Sequence, residues 1–135
     1  MKHMKSLLAL TSSALIILSA CNTNKAKEQA AVGSDRDEHD CIGSAGYVWS
    51  EVREDCIRPF EAGVKLRDRK NADATTAAFL VFATDSLKAE LFLPTVDKGI
   101  VLDKQDQAWS YGSYRAYLKE GKWTVDEKDA LIYAE

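Results

Sequence analysis

Three groupings of residues in this 135-residue chain have the types and spacing that chemistry needs. Cys21, Cys41 and Cys56 are its three cysteines, and a thiol serves as a nucleophile, a metal ligand or half of a cystine. His39 lies beside Cys41 and among Asp35, Asp37, Glu38 and Asp40, a mixture that suits a divalent cation or a Cys-His nucleophile. Residues 107–117, QAWSYGSYRAY, carry four aromatics, two serines and Arg115. Tyr, Ser, Gly and Arg recur in binding surfaces because they supply contact area and hydrogen bonds at low entropic cost.

The first two groupings do not mature into catalytic sites. No glycine fixes a calcium loop around residues 35–40, so a solvated charge run is the favoured reading. A Ser-His-Asp or Cys-His arrangement would have to recruit His39 from a polar segment. Carboxylate pairs occur, as they must among 21 acids, but no feature places a pair in a cleft. There is no phosphate-binding loop, dinucleotide fingerprint or zinc-protease helix motif. The expectation is a non-enzymatic protein with no cofactor and no metal. Residues 107–117 stay open between two readings. Either Trp109 and Tyr114 are core and the rest is a turn, or Ser110, Tyr111, Ser113, Tyr114 and Arg115 form a binding loop.

The elements that position these groups begin with a leader. Lys2 and Lys5 precede a short apolar run from Leu7 to Leu18, which ends in Ser19, Ala20 and Cys21. A basic start, a short apolar core and small residues before a cut make a secretory signal, and the run is short for a membrane span. Leu18-Ser19-Ala20-Cys21 resembles the lipobox of bacterial lipoproteins. The resemblance implies that Cys21 is alkylated by diacylglycerol and becomes the first mature residue, and that acyl chains hold the protein on a membrane. Asn22 after that cysteine favours the outer membrane of the cell envelope. The alternative is an ordinary secreted protein with a cysteine near its cleavage site. If lipidation consumes Cys21, Cys41 and Cys56 remain as the one possible pair, and closing a loop of about 15 residues contributes roughly 3 kcal/mol. A metal pair lacks partners, because His39 is the single histidine after the signal.

The signal carries two of the 18 lysines and arginines and no acid, leaving 16 against 21 acids and a net charge of −5. Nucleic acid is therefore excluded as a partner, and a cationic protein suits the surface better. Residues 21–39 contain one valine and no larger apolar residue, which reads as a flexible polar tether. Residues 40–135 remain for a single domain.

That domain reads as mainly β. Residues 47–49 and 56–58 suggest short strands, with Tyr47 and Trp49 on one face as core plugs rather than a ligand platform. Residues 64–66 follow, then 77–83, AAFLVFA, apolar on both faces as in a covered strand. Residues 87–93 alternate, which predicts Leu87, Ala89, Leu91 and Leu93 inward and Lys88 and Glu90 outward. Residues 100–103, 114–119, 123–125 and 130–134 complete the set, with Tyr114, Ala116, Leu118, Trp123 and Val125 expected inward. Glu120-Gly121 is a two-residue hairpin signal. Short turns between sequential strands predict a small antiparallel meander closing as a barrel-like sheet of about eight strands, one disulfide included.

On these features the chain is similar to membrane-bound inhibitors of c-type lysozyme in bacterial envelopes, over roughly residues 79–133. That family carries a Ser-Gly-x-x-Tyr loop that enters the lysozyme cleft. Ser110-Tyr111-Gly112-Ser113-Tyr114 has Ser and Tyr at that spacing, with Tyr111 where the family has Gly. The resemblance implies insertion by Ser110 and Tyr114, with Arg115 meeting an acidic cleft. Separately, residues 40–61 resemble a cysteine-bounded GSAGYxW…CIRPFE motif of uncharacterised envelope proteins. The expected function is a lipid-anchored envelope binding protein, with lysozyme as the type of cationic partner. A structural or accessory lipoprotein of an envelope assembly is the alternative.

Overall fold

The computed structural model describes residues 35–135. The expected signal at residues 1–20, Cys21 and most of the expected tether lie outside the described residues.

Eight antiparallel strands form a closed barrel: β3 (Val64–Asp68), β4 (Ala77–Phe82), β5 (Lys88–Phe92), β6 (Ile100–Gln105), β7 (Ala108–Tyr111), β8 (Tyr114–Lys119), β9 (Lys122–Glu127) and β10 (Ala130–Ala134). Each strand pairs with the next in sequence, and β10 returns to β3 through Tyr133 opposite Asp68 and Ala134 opposite Arg67. The expected class and strand number hold, but the membership differs. The segments read at 47–49 and 56–58 form a separate two-stranded sheet, β1 (Val48–Ser50) and β2 (Asp55–Ile57). The eighth barrel strand is β7, in a stretch read as a loop.

Tight turns explain the order of the second half. β6 to β10 are joined by four successive two-residue connections, Asp106-Gln107, Gly112-Ser113, Glu120-Gly121 and Lys128-Asp129. Both central residues have positive φ in Glu120-Gly121 (52° and 76°) and in Lys128-Asp129 (51° and 62°). That geometry matches the right-handed twist of the flanking strands. In the other two turns the first residue alone is positive, at Asp106 and Gly112.

Side chains fill the barrel. Leu66, Leu80, Leu91 and Leu102 are fully buried with Ala78, Ala89, Ala116 and Val125, the small residues leaving room for the leucines. Phe82, Trp109 and Trp123 pack ring against ring, with centroids 4.7 to 5.3 Å apart. The Trp109 Nε1–H donates to the Ser86 carbonyl at 3.0 Å. Two inward expectations fail. Leu87 is exposed because β5 starts one residue later and leaves it in the turn, and Leu118 is exposed near the end of β8.

A cap covers part of the barrel's outer wall. It comprises residues 35–46 with a 3-10 turn at Gly43–Ala45, the β1–β2 hairpin, and the one-turn helix α1 (Pro59–Ala62), whose Pro59 sits at the first turn where its missing N–H costs nothing. Cys41 and Cys56 form the disulfide, tying residues 35–41 to β2. The part of the expected tether that is described, residues 35–39, lies in this cap rather than apart from it. Asp37 Oδ1 accepts the backbone N–H groups of His39 and Cys41 at 2.8 and 2.9 Å, and Asp35 accepts from Ser44. The acids there cap backbone donors.

A core truncation separates inside from outside. Leu91→Ala is expected to cost about 2–5 kcal/mol, and Leu118→Ala to stay within about 0.5 kcal/mol of wild type, read as the shift in urea midpoint at constant slope.

Candidate functional site

Because the barrel interior is packed, a site has to lie on its ends, its outer wall or its junction with the cap. Two places combine exposed chemistry with defined geometry.

The first is the β7–β8 hairpin, where the sequence placed a binding loop. Strand pairing sets Ser110 opposite Arg115 and Tyr111 opposite Tyr114. Tyr111 is 62 % exposed at the tip, beside exposed Gly112 and Ser113. Gly112 has φ +58° with open space around it, so the turn favours a glycine for its backbone angle and not for room. The Ser113 carbonyl accepts the Lys128 N–H at 2.9 Å, which ties the tip to the β9–β10 turn. Ser110 and Arg115 lie in an outward row with Asp103 and Asp126 of the neighbouring strands. Arg115 sits over the Tyr117 ring at 5.0 Å, and Tyr117 donates to Asp126 at 3.0 Å. An open groove of about 720 Å³ runs beside them, lined also by Lys104, Gln105, Gln107 and Trp109.

The five expected residues therefore divide. Tyr111 and Ser113 occupy the tip, and Ser110 and Arg115 share the outer face. Tyr114 turns the other way, half-buried against the barrel core, where burial and then the Glu127 carboxylate hold its phenol above the ordinary range. Strand alternation across a two-residue turn puts Ser110 and Tyr114 on opposite faces, so they do not present as one surface.

The second place takes Asp37, Glu38 and His39 from the stretch weighed for a divalent cation and joins them to residues that the sequence did not connect with it. A cleft of about 430 Å³ lies between cap and barrel, lined by Asp37, Glu38, His39, Trp49 and Glu51 on one side and Glu90, Asp97, Lys98 and Gly99 on the other. His39 stacks on Trp49, with centroids 4.2 Å apart and planes 8° from parallel. Trp49, expected as a core plug, is thus a partly exposed cleft wall, and its Nε1–H is buried with no acceptor among the described residues. Glu38 and Lys98 form an ion pair at 3.0 Å across the cleft, which lowers the Glu38 pKa and raises that of Lys98.

Glu90 sits against this cleft at 1 % exposure. The alternation that turns Leu91 inward turns Glu90 outward, as expected, but outward here means beneath the cap and not into water. Its row neighbour on β4, Val81, is fully buried for the same reason. Glu90 Oε2 accepts the Ser50 hydroxyl at 2.6 Å, with the Val52 N–H at 3.5 Å. Gly99 lets the β5–β6 loop approach, since any side chain there would collide with the Glu90 carboxylate. Burial raises the Glu90 pKa, opposed by the Ser50 hydroxyl and the Glu51 and Val52 backbone. The one sequence signal for this was β4 itself, whose two-sided apolarity requires a cover over the outer wall. Among the described residues, no group of three or more His, Cys, Asp or Glu is arranged to hold a metal ion.

The folded chain holds the Glu90 proton more tightly than the unfolded chain. The resulting stability is fully present below pH 4.5 and is lost as pH rises through the raised native value. Glu90→Gln, which keeps an acceptor for Ser50 without the charge, should melt higher than wild type at neutral pH. That advantage should vanish below pH 4.5; an equal difference at both pH values would show that the carboxyl does not titrate across this range. Comparison with protein-family models, curated proteins and solved structures finds no match to this chain.

Proposed function

We propose that this chain is a lipid-anchored, non-catalytic binding protein of the bacterial envelope that meets a protein partner through the tip and outer face of the β7–β8 hairpin. The observation that carries this reading is Tyr111, a large aromatic held 62 % exposed at the end of a two-residue turn. Exposed aromatics on a stiff support lose little entropy on binding, and Tyr and Arg are over-represented among residues that dominate interface energies. The tip is stiffened on both sides, by its own strand pairing and by the bond from Lys128 to Ser113.

Charge favours a cationic partner. The net of −5 expected after the signal attracts a basic protein at long range, while Arg115 beside the tip suits a carboxylate within that partner. A c-type lysozyme, cationic with an acidic cleft, has this combination. The anchor is Cys21, through the likeness of residues 18–21 to a lipobox. With a lipid on Cys21, the residues up to the cap set how far the hairpin reaches from the membrane.

Two measurements test this. The full-length protein, expressed in a bacterium and purified in detergent, should inhibit c-type lysozyme. Tyr111→Ala should weaken inhibition at least about tenfold without changing the melting temperature. Unchanged lysozyme activity at large excess, with no complex on a sizing column, would remove lysozyme as the partner. For the anchor, radiolabelled palmitate should enter the wild type and not Cys21→Ser, and the variant should leave the membrane fraction. Label retained by the serine variant would place the lipid elsewhere.

A further inference from the structure

The cleft between cap and barrel shares no lining residue with the hairpin, and its chemistry asks for a different ligand. We infer that it is a binding site for an organic cation, an alkylammonium or guanidinium group, which enters between the Trp49–His39 wall and Glu51 and takes Glu90 as its counter-ion.

The starting point is an imbalance at Glu90. A buried carboxyl either pairs with a cation or keeps its proton, because hydrogen bonds alone do not replace the lost hydration of a full charge. Glu90 is 1 % exposed and receives donors from Ser50 and Val52, yet among the described residues no Lys, Arg or His forms an ion pair with it. Lys98, the one lysine among the described residues that line the cleft, is committed to Glu38 at 3.0 Å. Glu90 lines a cavity, and a cation arriving there from outside would supply the charge that lets it ionise.

The rest of the lining fits such a group. Its acids outnumber its bases, with Asp37, Glu51 and Asp97 adding to Glu90 and to the paired Glu38. Three of the lining side chains, Val48, Trp49 and His39, give the apolar and aromatic surface against which the flat face or methylenes of a cation pack. The volume of about 430 Å³ lies within the range of small-molecule sites. A bare metal ion is disfavoured by the same walls, since the described acids do not converge as a ligand set. An alkylammonium or guanidinium group needs fewer and looser contacts.

The same cation chemistry occurs on a free small amine and on a Lys or Arg side chain of a basic protein, and the experiment separates them. Full-length protein is titrated with butylguanidinium and with butylammonium while the Trp49 indole and His39 ring resonances are followed by NMR. Saturable shifts are expected with a Kd at or below about 10 mM for one of the two probes. Glu90→Gln, which preserves the Ser50 contact, should weaken that probe at least about tenfold. Glu51→Gln, an exposed change at the cleft rim, should weaken it less and keep the inference testable if Glu90→Gln misfolds. Asp103→Asn, an acid outside the cleft paired with Lys88, should leave it unchanged. A basic protein such as lysozyme is then added to the probe-loaded sample. Displacement of the probe assigns the site to a protein side chain, and retention assigns it to a free amine. Absence of saturable shifts, equal affinity in wild type and both cleft variants, or an equal loss in Asp103→Asn would overturn the assignment. Failure of lysozyme inhibition alone would leave it standing, because the probes bind without any partner protein.

Discussion

An eight-stranded barrel of this size fills its interior with its own side chains, so each residue that points outward has to be solvated or covered. Val81 and Glu90, neighbours across β4 and β5, point outward and are covered. That pair sets the terms for the rest of the molecule. The cover must offer apolar surface to Val81 and hydrogen-bond donors to Glu90 within one strand spacing. The β1–β2 hairpin answers the second demand with the Ser50 hydroxyl and the Val52 N–H, and the chain around α1 packs close over β4, with Gly63 against Val81. A two-stranded ribbon of three residues a side is too small to hold itself in place. The Cys41–Cys56 link and the backbone donors gathered by Asp35 and Asp37 tie it into the cap, and the Ser50–Glu90 and Glu38–Lys98 contacts fasten the cap to the barrel.

Much of the barrel was legible, and the reasons are local. Glu120-Gly121 announces a hairpin by residue type, and the strands on either side carry the period of two. Lys128-Asp129 makes the same kind of turn with neither residue a strong signal, because strand pairing on both flanks overrides the modest cost of a left-handed Lys and Asp. β7 was hidden for a related reason. Residues 108–111 are four long and mix serine with aromatics, so composition reads as surface while the backbone is strand. Leu87 and Leu118 belong to the right alternation but fall at strand ends, where alternation no longer decides exposure.

The two candidate sites differ in legibility in the same way. Residue types advertise the hairpin, and the register then corrects its membership by sending Tyr114 inward. The cleft is assembled from residues 37–39, 48–49, 51, 90 and 97–99, and of these only the first stretch drew notice in the sequence, as a charge run. Its key member, Glu90, reads as an ordinary solvent-facing acid between buried neighbours. What buries it is the packing of the cap on the wall, a tertiary event that strand periodicity does not encode. His39, isolated in a polar stretch, acquires a role once the disulfide brings that stretch against Trp49.

The seam between β3 and β10 carries one further consequence, for the order of assembly. Every other barrel pairing joins strands adjacent in sequence, so those hairpins form with little loop-closure entropy. The seam joins Arg67 and Asp68 to Ala134 and Tyr133, with the Arg69 N–H on the Ile132 carbonyl, and spans nearly the whole barrel sequence. A chain that folds from its amino end displays one edge of β3 unpaired until β10 arrives. The polar and charged side chains of Lys65, Arg67 and Asp68 on that strand are the sort that keep a waiting edge from recruiting a neighbour.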